Sequence, residues 1–186
     1  DFVANGIALS ISYLGGDGND VELMAGDQNT VYVNSAWSGT ARGSDPDGSG
    51  PARSFDFDSF TTFQEGINEV ADGGQVIIYD HAGTGYPEAL LIDDSTWSDK
   101  GLRSHRALTK AMLLTAAAGN HPVIDGTGLL GIGLDIDRKD YQSTITVDGL
   151  KFANSFSIGI HSEGELESKL TLVNTEVDGG FSGIVV

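Results

Sequence analysis

The sequence predicts an all-β fold, a parallel β-helix (solenoid) that begins with one short capping α-helix. Three observations favour this fold class. From Gln75 onward, short apolar runs alternate with turn residues, two segments recur with a period in the twenties, and one amphipathic stretch followed by Gly-Gly precedes the strands. Strands this short and this regularly spaced are typical of a meander, a sandwich or a solenoid.

The internal repeat distinguishes among these architectures. Ser143 to Val147 (STITV) matches Ser168 to Leu172 (SKLTL) at an offset of 25 residues, and SIGI from Ser157 matches FSGI from Phe181 at about that offset. A hydrophobic-Asp-Gly step also recurs, at Ile124-Asp125-Gly126, Val147-Asp148-Gly149 and Val177-Asp178-Gly179. One coil of a parallel β-helix has such a period, with about three strands and three turns. A β-sandwich would also give short strands and Asp-Gly turns, so both architectures stay open on pattern alone.

The single helix is predicted between Phe60 and Gly74. Its apolar face consists of Phe63, Ile67, Val70 and Ala71, which stand at the spacing of one helix side. Thr61 with Gln64, or Thr62 with Glu65, has the spacing of a capping box. Gly73-Gly74 is expected to end the helix as a left-handed C-cap. A helix of about three turns with one apolar face does not stand alone, so we expect it to cover the first coil.

Three regions are predicted along the chain. Residues 1–28 read as the end of an upstream β unit, a hairpin in which IALSISY and VELM flank the turn GGDGND. Residues 29–75 contain a first strand (VYVN), a Gly- and Asp-rich loop and the capping helix. Residues 76–186 are predicted to form the β-helix coils, and we expect these to be incomplete at the C-terminus and the chain to be an excerpt of a longer polypeptide.

Charge and composition exclude several classes of partner. The chain has 27 acidic and 10 basic residues, a formal net charge of -17, and therefore repels a phosphate backbone. We expect no nucleic-acid partner. The absence of Cys excludes disulfides and thiolate-bound metals. No apolar run approaches the roughly 20 residues that span a bilayer, so no membrane insertion is expected. Surplus carboxylates suit either solvation or hard cations such as Ca²⁺.

Part of the sequence is similar to a known family. The stretches VYVNSAW, SDPDGSGPARSF and FTTFQEGINEVADGGQVIIYDHAGTGYPEALLI resemble the N-terminal signature of pectate-lyase-like right-handed β-helix proteins. In that family a Phe-Thr-Thr-Ile-Gln-like helix with Gly-Gly precedes the first coil, and a Gly-Thr-Tyr-x-Glu-like turn follows it. The matching residues are Phe60 to Gln64, Gly73-Gly74, Gly83-Thr84, Tyr86 and Glu88, with Gly85 inserted and Pro87 before the Glu.

The resemblance covers roughly Val31 to Val186 and implies a right-handed coil capped by the helix. It implies no single activity, because the fold hosts lyases, esterases, glycosidases, tailspikes, adhesins and passive stalks. The first segment, with ISYLGGDGNDVEL, is similar to a closing motif of repeat units in large bacterial surface and autotransporter-like proteins. Together the two resemblances imply a slice of a secreted, multidomain bacterial protein.

Two acidic loops are candidate calcium sites. Asp45 and Asp47 alternate before a Gly in SDPDGSG, and Asp56 and Asp58 could complete the ligand set across the loop. A solvated Gly-rich loop is the equally good alternative. In GGDGND, Asp17 and Asp20 resemble one copy of the calcium-binding nonapeptide, but an ordinary hairpin turn explains them better. Calcium is the only cofactor we expect.

Catalytic candidates are few. Asp125, Asp148 and Asp178 would come close together if they stacked on successive coils, about 4.8 Å apart, but each precedes Gly and therefore favours a turn. Asp135 and Asp137 alternate on one strand face and are the best remaining pair of carboxyls for glycoside cleavage. The four histidines lack the spacing of metal ligands. We expect this chain to catalyse nothing by itself.

The predicted role is structural or adhesive, in an extracellular or cell-surface stalk or filament. One alternative is a carbohydrate-active enzyme, a lyase or glycoside hydrolase, whose catalytic coils lie beyond this sequence. A second alternative is a calcium-dependent module that binds a glycan or a surface protein. Self-association through open β-helix ends is a further expectation, because an unpaired sheet edge accepts another strand.

Overall fold

The computed structural model describes residues 2–4, 7–15, 20–25, 28–81, 85–93, 109–129, 131–138, 142–154, 157–164, 169–178 and 182–185. Within these ranges the chain is mostly β-strand, with parallel sheets and one α-helix. The strands in chain order are β1 (Phe2–Ala4), β2 (Ile7–Gly15), β3 (Asp20–Ala25), β4 (Thr30–Val33), β5 (Ser59–Phe60), β6 (Gly74–Ile78), β7 (Leu90–Asp93), β8 (Thr109–Ala116), β9 (Val123–Asp125), β10 (Ile132–Arg138), β11 (Gln142–Asp148), β12 (Lys151–Ala153), β13 (Ile158–Gly164), β14 (Lys169–Val173), β15 (Glu176–Asp178) and β16 (Ser182–Val185).

The first three strands form an antiparallel sheet in which β2 pairs with both β1 and β3. The pairing of β2 with β3 is the hairpin that the alternating pattern predicts. Ile11 lies opposite Leu23, and the register shifts between Ser12 and Gly15. Whether this sheet ends an upstream unit stays a prediction.

The remaining strands form three parallel sheets. Sheet 1 has the order β14-β11-β8-β6-β4-β5, sheet 2 the order β16-β13-β10-β7, and sheet 3 the order β15-β12-β9. From β8 to β16, nine successive strands visit sheets 1, 3 and 2 in that order three times. Each pass therefore lays one new strand on each sheet, beside the strand from the pass before.

The sequence repeat corresponds to the spacing between paired residues on neighbouring strands in the last part of these sheets. Ile145 pairs with Leu170 in sheet 1, and Phe152 pairs with Val177 in sheet 3, both at an offset of 25 residues. In sheet 2, Ile160 pairs with Ile184 at an offset of 24. Strands β6, β8, β11 and β14 are parallel neighbours in sheet 1, and the predicted match of STITV with SKLTL is the pairing of β11 with β14.

The helix α1 spans Phe63–Glu69 and is shorter than predicted. Thr62 and Glu65 form the capping box at its start, which decides between the two predicted spacings. The expectation that Gly73-Gly74 forms the C-cap is wrong, because Val70 is the C-cap and already has an extended backbone. Leaving the helix there places the Val70 side chain, which is fully buried, in the core. Gly73 instead turns the chain with a φ of 78°, and Gly74 begins β6.

Alternate residues of the three parallel sheets and the apolar face of α1 join one buried core. Val31, Val76, Leu114 and Val147 follow one another in register across sheet 1, and each is fully buried. Phe63 and Ile67 of α1 are also fully buried in this core, as the amphipathic pattern predicts. At the other end, on β14 to β16, the inward residues Leu170, Leu172 and Val177 are only partly buried, and Ile184 is exposed.

A smaller apolar cluster holds the long loop before α1. Trp37, Ala52 and Phe55 are buried together and pack against Tyr32 and Tyr79 beside sheet 1. The rings of Trp37 and Tyr79 meet edge to face, with centroids 5.8 Å apart. The loop that the sequence describes as polar and Gly-rich therefore has an apolar core of its own.

Candidate functional site

The outer face of sheet 2 carries a carboxylate–imidazole pair. Asp135 of β10 lies in register with His161 of β13, and its Oδ1 is 2.8 Å from the imidazole Nδ1. The two side chains are 29% and 23% exposed, so solvent reaches a pair that is largely shielded by its neighbours. Leu134 and Ile136, on either side of Asp135, point into the core, which forces Asp135 outward because strand residues alternate.

Sequence reasoning selected Asp135 but missed His161. The two residues are 26 positions apart and lie in register on neighbouring strands of sheet 2. This offset is the signal that could have identified His161. Nδ1 faces the carboxylate, and Nε2 is the other ring nitrogen at which an imidazole can bind a ligand or a proton. Such a pair can hold one imidazole tautomer and move a proton.

Further acidic residues stand next to this pair on sheet 2. Asp137 lies in register with Asp93 of β7 on one side and with Glu163 of β13 on the other. Asp135 and Asp137 are two residues apart on β10, and their joint catalytic use stays a prediction. Among the residues that the structure describes, no group of three His, Asp or Glu side chains is arranged to hold a metal ion.

The Asp125 carboxylate of the first Asp-Gly step stabilises a turn. Asp125 Oδ1 accepts hydrogen bonds from Thr127 N (2.9 Å), Thr127 Oγ1 (2.7 Å) and Asn154 Nδ2 (2.9 Å). These bonds, first among them that from the Thr127 hydroxyl, hold the pKa of Asp125 below its usual value. The alternative, in which the three Asp residues stack on one another, does not match the strand register. Ala153 lies between Asp125 and Asp178 in sheet 3, whereas Asp148 ends β11 in sheet 1.

The predicted calcium loop uses its carboxylates to hold its own backbone. Asp45 Oδ1 accepts hydrogen bonds from Asp47 N and Gly48 N at 3.1 and 2.7 Å. Asp47 accepts from Gly50 N at 2.9 Å and from Ala52 N at 3.2 Å. Both are turn interactions of short acidic side chains, and each leaves carboxylate lone pairs that could face a cation.

Asp58, in contrast, is buried and 2% exposed. Its carboxylate accepts hydrogen bonds from the backbone N–H groups of Arg53 and Ser54, at 3.1 and 2.8 Å. Burial raises the pKa of Asp58, and these two hydrogen bonds oppose the rise. Asp56 occupies the adjoining turn with a φ of 62°. A calcium site formed by Asp45, Asp47, Asp56 and Asp58 stays a prediction.

The other predicted acidic site is the hairpin turn GGDGND. Asp17 lies outside the described residues. Asp20 is the first residue of β3 and pairs with Gly15 of β2, a position that suits the hairpin interpretation. Calcium binding by these two residues also stays a prediction.

The turn that carries the family resemblance closes the helical end of the sheets. Both Glu88 carboxylate oxygens accept hydrogen bonds at the start of α1, from Phe63 N and Gln64 N at 3.0 Å each. Burial raises the pKa of Glu88, against the effect of these hydrogen bonds. Tyr86 is buried and donates its hydroxyl to Tyr79 O at 2.8 Å, and burial raises its pKa. Gly83 and Thr84 lie outside the described residues.

The Gln64 side chain forms hydrogen bonds with the backbone of β7 in the way that a neighbouring strand would. Its amide nitrogen donates to Leu91 O at 2.9 Å, and its amide oxygen accepts from Leu91 N at 2.8 Å. β7 is the edge strand of sheet 2, so Gln64 occupies hydrogen-bonding groups that would otherwise pair with another strand. No sequence pattern predicts this contact beyond the presence of the Gln itself.

Comparison of the chain with protein-family models, with curated proteins and with solved structures finds no match. The resemblance to pectate-lyase-like proteins therefore depends on the helix and turn residues alone. Within the described ranges, no helix has the length and apolar character needed to cross a membrane.

Proposed function

We propose that this chain is a right-handed parallel β-helix that serves as a structural or adhesive segment of an extracellular surface, stalk or filament protein. The observation that carries the proposal is the threefold cycle of strands through sheets 1, 3 and 2, with neighbouring strands 24 to 26 residues apart in the last coils. The right hand follows from the strong preference of parallel crossover connections for that hand.

A stack of this kind suits a rigid spacer. Each coil contacts only the coils beside it, so the molecule grows in length without changing its cross-section. The polar residues support this role, since Asp125, Asp45, Asp47, Asp58 and Glu88 accept hydrogen bonds from turns, loops and the helix start. The net charge of -17 keeps such a surface hydrated, which fits exposure to the medium.

A pair of cysteines tests the coil stack. Thr144 and Lys169 are exposed and lie in register on β11 and β14, where parallel neighbours stand about 4.8 Å apart, within the range of a disulfide. The double variant Thr144→Cys/Lys169→Cys should cross-link on mild oxidation. The matched control Thr144→Cys/Thr171→Cys is out of register by two residues, about 8 Å apart, and should stay reduced. Equal cross-linking of both pairs would contradict the stack, and the native chain, which has no Cys, adds no background.

The structural role itself is tested by incubation with acidic and neutral polysaccharides, with and without Ca²⁺. A structural segment should release no new reducing ends and no unsaturated products. The second candidate function, a carbohydrate-active enzyme, is favoured by one observation, the contact of Asp135 with His161. If products form and the variant Asp135→Asn abolishes them while Asp148→Asn does not, the enzymatic candidate replaces the structural one.

A further inference from the structure

Asp-Gly steps are chemically reactive points of a protein chain, and four of them lie wholly within the described residues. They begin at Asp47, Asp72, Asp125 and Asp148. In such a step the glycine nitrogen attacks the side-chain carbon Cγ of the Asp before it. A C–N bond forms, the amide proton passes to solvent, and a carboxyl oxygen leaves as water, which produces a succinimide ring.

Water then opens the ring at one of its two carbonyl groups. Opening at the backbone carbonyl leaves isoaspartate, in which the main chain runs through the former side chain and is one atom longer. Glycine permits the attack most readily, because it has no Cβ to crowd its nitrogen. A turn that contains Asp-Gly is therefore a site of spontaneous modification unless the fold restrains the two reacting groups.

In three of the four steps, the glycine N–H donates a hydrogen bond to a carbonyl group of the neighbouring strand. The bonds are Gly73 N to Ala111 O (2.8 Å), Gly126 N to Ala153 O (2.8 Å) and Gly149 N to Val173 O (3.0 Å). Ala153 and Val173 pair in register with Asp125 and Asp148. The hydrogen-bond ladder of the parallel sheets thus continues through the reactive nitrogen.

The carboxylates of the same three steps are also held from the neighbouring strand or from the residue that follows it. Asp72 Oδ1 accepts from Ala111 N (2.9 Å), Asp125 Oδ1 from Asn154 Nδ2 (2.9 Å), and Asp148 Oδ1 from Asn174 Nδ2 (3.0 Å). Ring closure brings Cγ onto the glycine nitrogen, so both groups must first leave these hydrogen bonds.

The step at Asp47 is held by its own loop instead. Gly48 N donates to Asp45 Oδ1 at 2.7 Å, and the Asp47 carboxylate accepts from Gly50 N and Ala52 N. Asp45 and Gly48 are exposed. Contacts within one exposed loop open at a lower free-energy cost than contacts between packed strands.

We propose that contacts between neighbouring coils protect Asp72, Asp125 and Asp148 from conversion to isoaspartate, and that Asp47 is the first of the four to be modified. The inference rests on the proposed coil stack. It gives the Asp-Gly turns of a structural segment chemical durability, because an extra main-chain atom in a turn would shift the strand that follows.

Ageing of the folded and the unfolded chain tests the proposal. The native chain is incubated at neutral pH in buffer and, in parallel, in concentrated urea, and isoaspartate at each step is measured by digestion and mass spectrometry. In urea the four steps should react at similar rates. In the folded chain, Asp72, Asp125 and Asp148 should react roughly tenfold or more slowly than in urea, since two hydrogen bonds must break, and Asp47 should be slowed least.

Reciprocal variants test the contacts one at a time. Asn154 and Asn174 have positive φ, so Asn154→Gly and Asn174→Gly remove the amide and keep the backbone conformation. Asn174→Gly should accelerate modification of Asp148 about threefold to tenfold and leave Asp125 unchanged. Asn154→Gly should act on Asp125 alone and more weakly, because Asp125 keeps its hydrogen bonds from Thr127.

The loop supplies its own matched pair. Asp45→Ala removes the acceptor of Gly48 N and should accelerate modification of Asp47 alone, whereas Asp45→Asn makes the same charge change, retains an oxygen acceptor and should leave the rate near that of the native chain. Equal rates in buffer and in urea, a step between coils that reacts before Asp47, or variants that accelerate all steps alike would overturn the proposal. If those results came with selective cross-linking of the in-register cysteines, the protection alone would fall and the coil stack would stand.

Discussion

Removing one side chain from α1 should show how much the helix contributes to the stability of the sheets. Ile67 is fully buried in the core that α1 shares with β4, β6 and β7. The variant Ile67→Ala deletes three carbon atoms and leaves a cavity, because a helix held by its capping box and by Glu88 relaxes only partly. Substitutions of this kind cost about 2 to 5 kcal/mol of unfolding free energy.

In a chain of this size, each 1 kcal/mol shifts the melting temperature by about 2 to 4 °C. Ile67→Ala should therefore melt roughly 4 to 20 °C below the native chain. The matched control is Ile77→Ala on β6, which makes the same chemical change at a half-buried position facing outward. Ile77→Ala should lower the unfolding free energy by about 1 kcal/mol or less, because a half-buried side chain removes less apolar surface from water on folding.

The assay combines urea unfolding, followed by far-ultraviolet circular dichroism, with native-state hydrogen exchange. Exchange matters because a stack of coils can unfold locally. In Ile67→Ala, amide protection should fall most in β4, β6 and β7 and least in β13 and β14. If Ile67→Ala cost no more than Ile77→Ala, or if protection fell evenly along the chain, α1 would not be the cap described here.

Three further outcomes are expected. Burial raises the folded-state pKa of Glu88, so the stability that this group contributes is full below its unfolded-state pKa and is lost as pH rises through its folded-state pKa. Between about pH 3 and 7, the melting temperature of Glu88→Gln should therefore decline less steeply with rising pH than that of the native chain. Parallel curves for the two proteins would refute this. A Cβ at Gly159 would clash with Val177 Cγ1 and lie 2.8 Å from Gly183 O, so Gly159→Ala should lower the unfolding free energy measured in urea by about 1 to 3 kcal/mol. The control is Gly183→Ala, because a Cβ at Gly183 meets nothing within 4 Å. A similar loss of unfolding free energy in both variants would contradict the packing argument. If the Asp45–Asp58 loop binds Ca²⁺, a free Ca²⁺ concentration one hundred times the Kd should raise the unfolding free energy by about 2.7 kcal/mol. Equal melting temperatures in calcium and in chelator would favour the alternative, a solvated loop that binds no ion.

The sequence alone predicted the features of this protein that repeat or alternate. Strand positions followed from short apolar runs, the register of β14 against β11 followed from the offset of 25 residues between STITV and SKLTL, and the buried face of α1 followed from Phe63 and Ile67. These signals are local, or are repeated at a fixed period, because each strand buries every second side chain and each coil places equivalent residues over one another.

The tertiary structure decided which side chains from distant parts of the chain meet. Asp135 meets His161 only because β10 and β13 pair one coil apart, and Glu88 caps α1 from 25 residues away. The helix ends at Glu69 rather than at Gly73-Gly74 because burial of Val70 in the core favours an extended backbone there. The last two features carry no periodic pattern, since the path of the turns sets which polar groups meet, and that path follows from packing of the whole core.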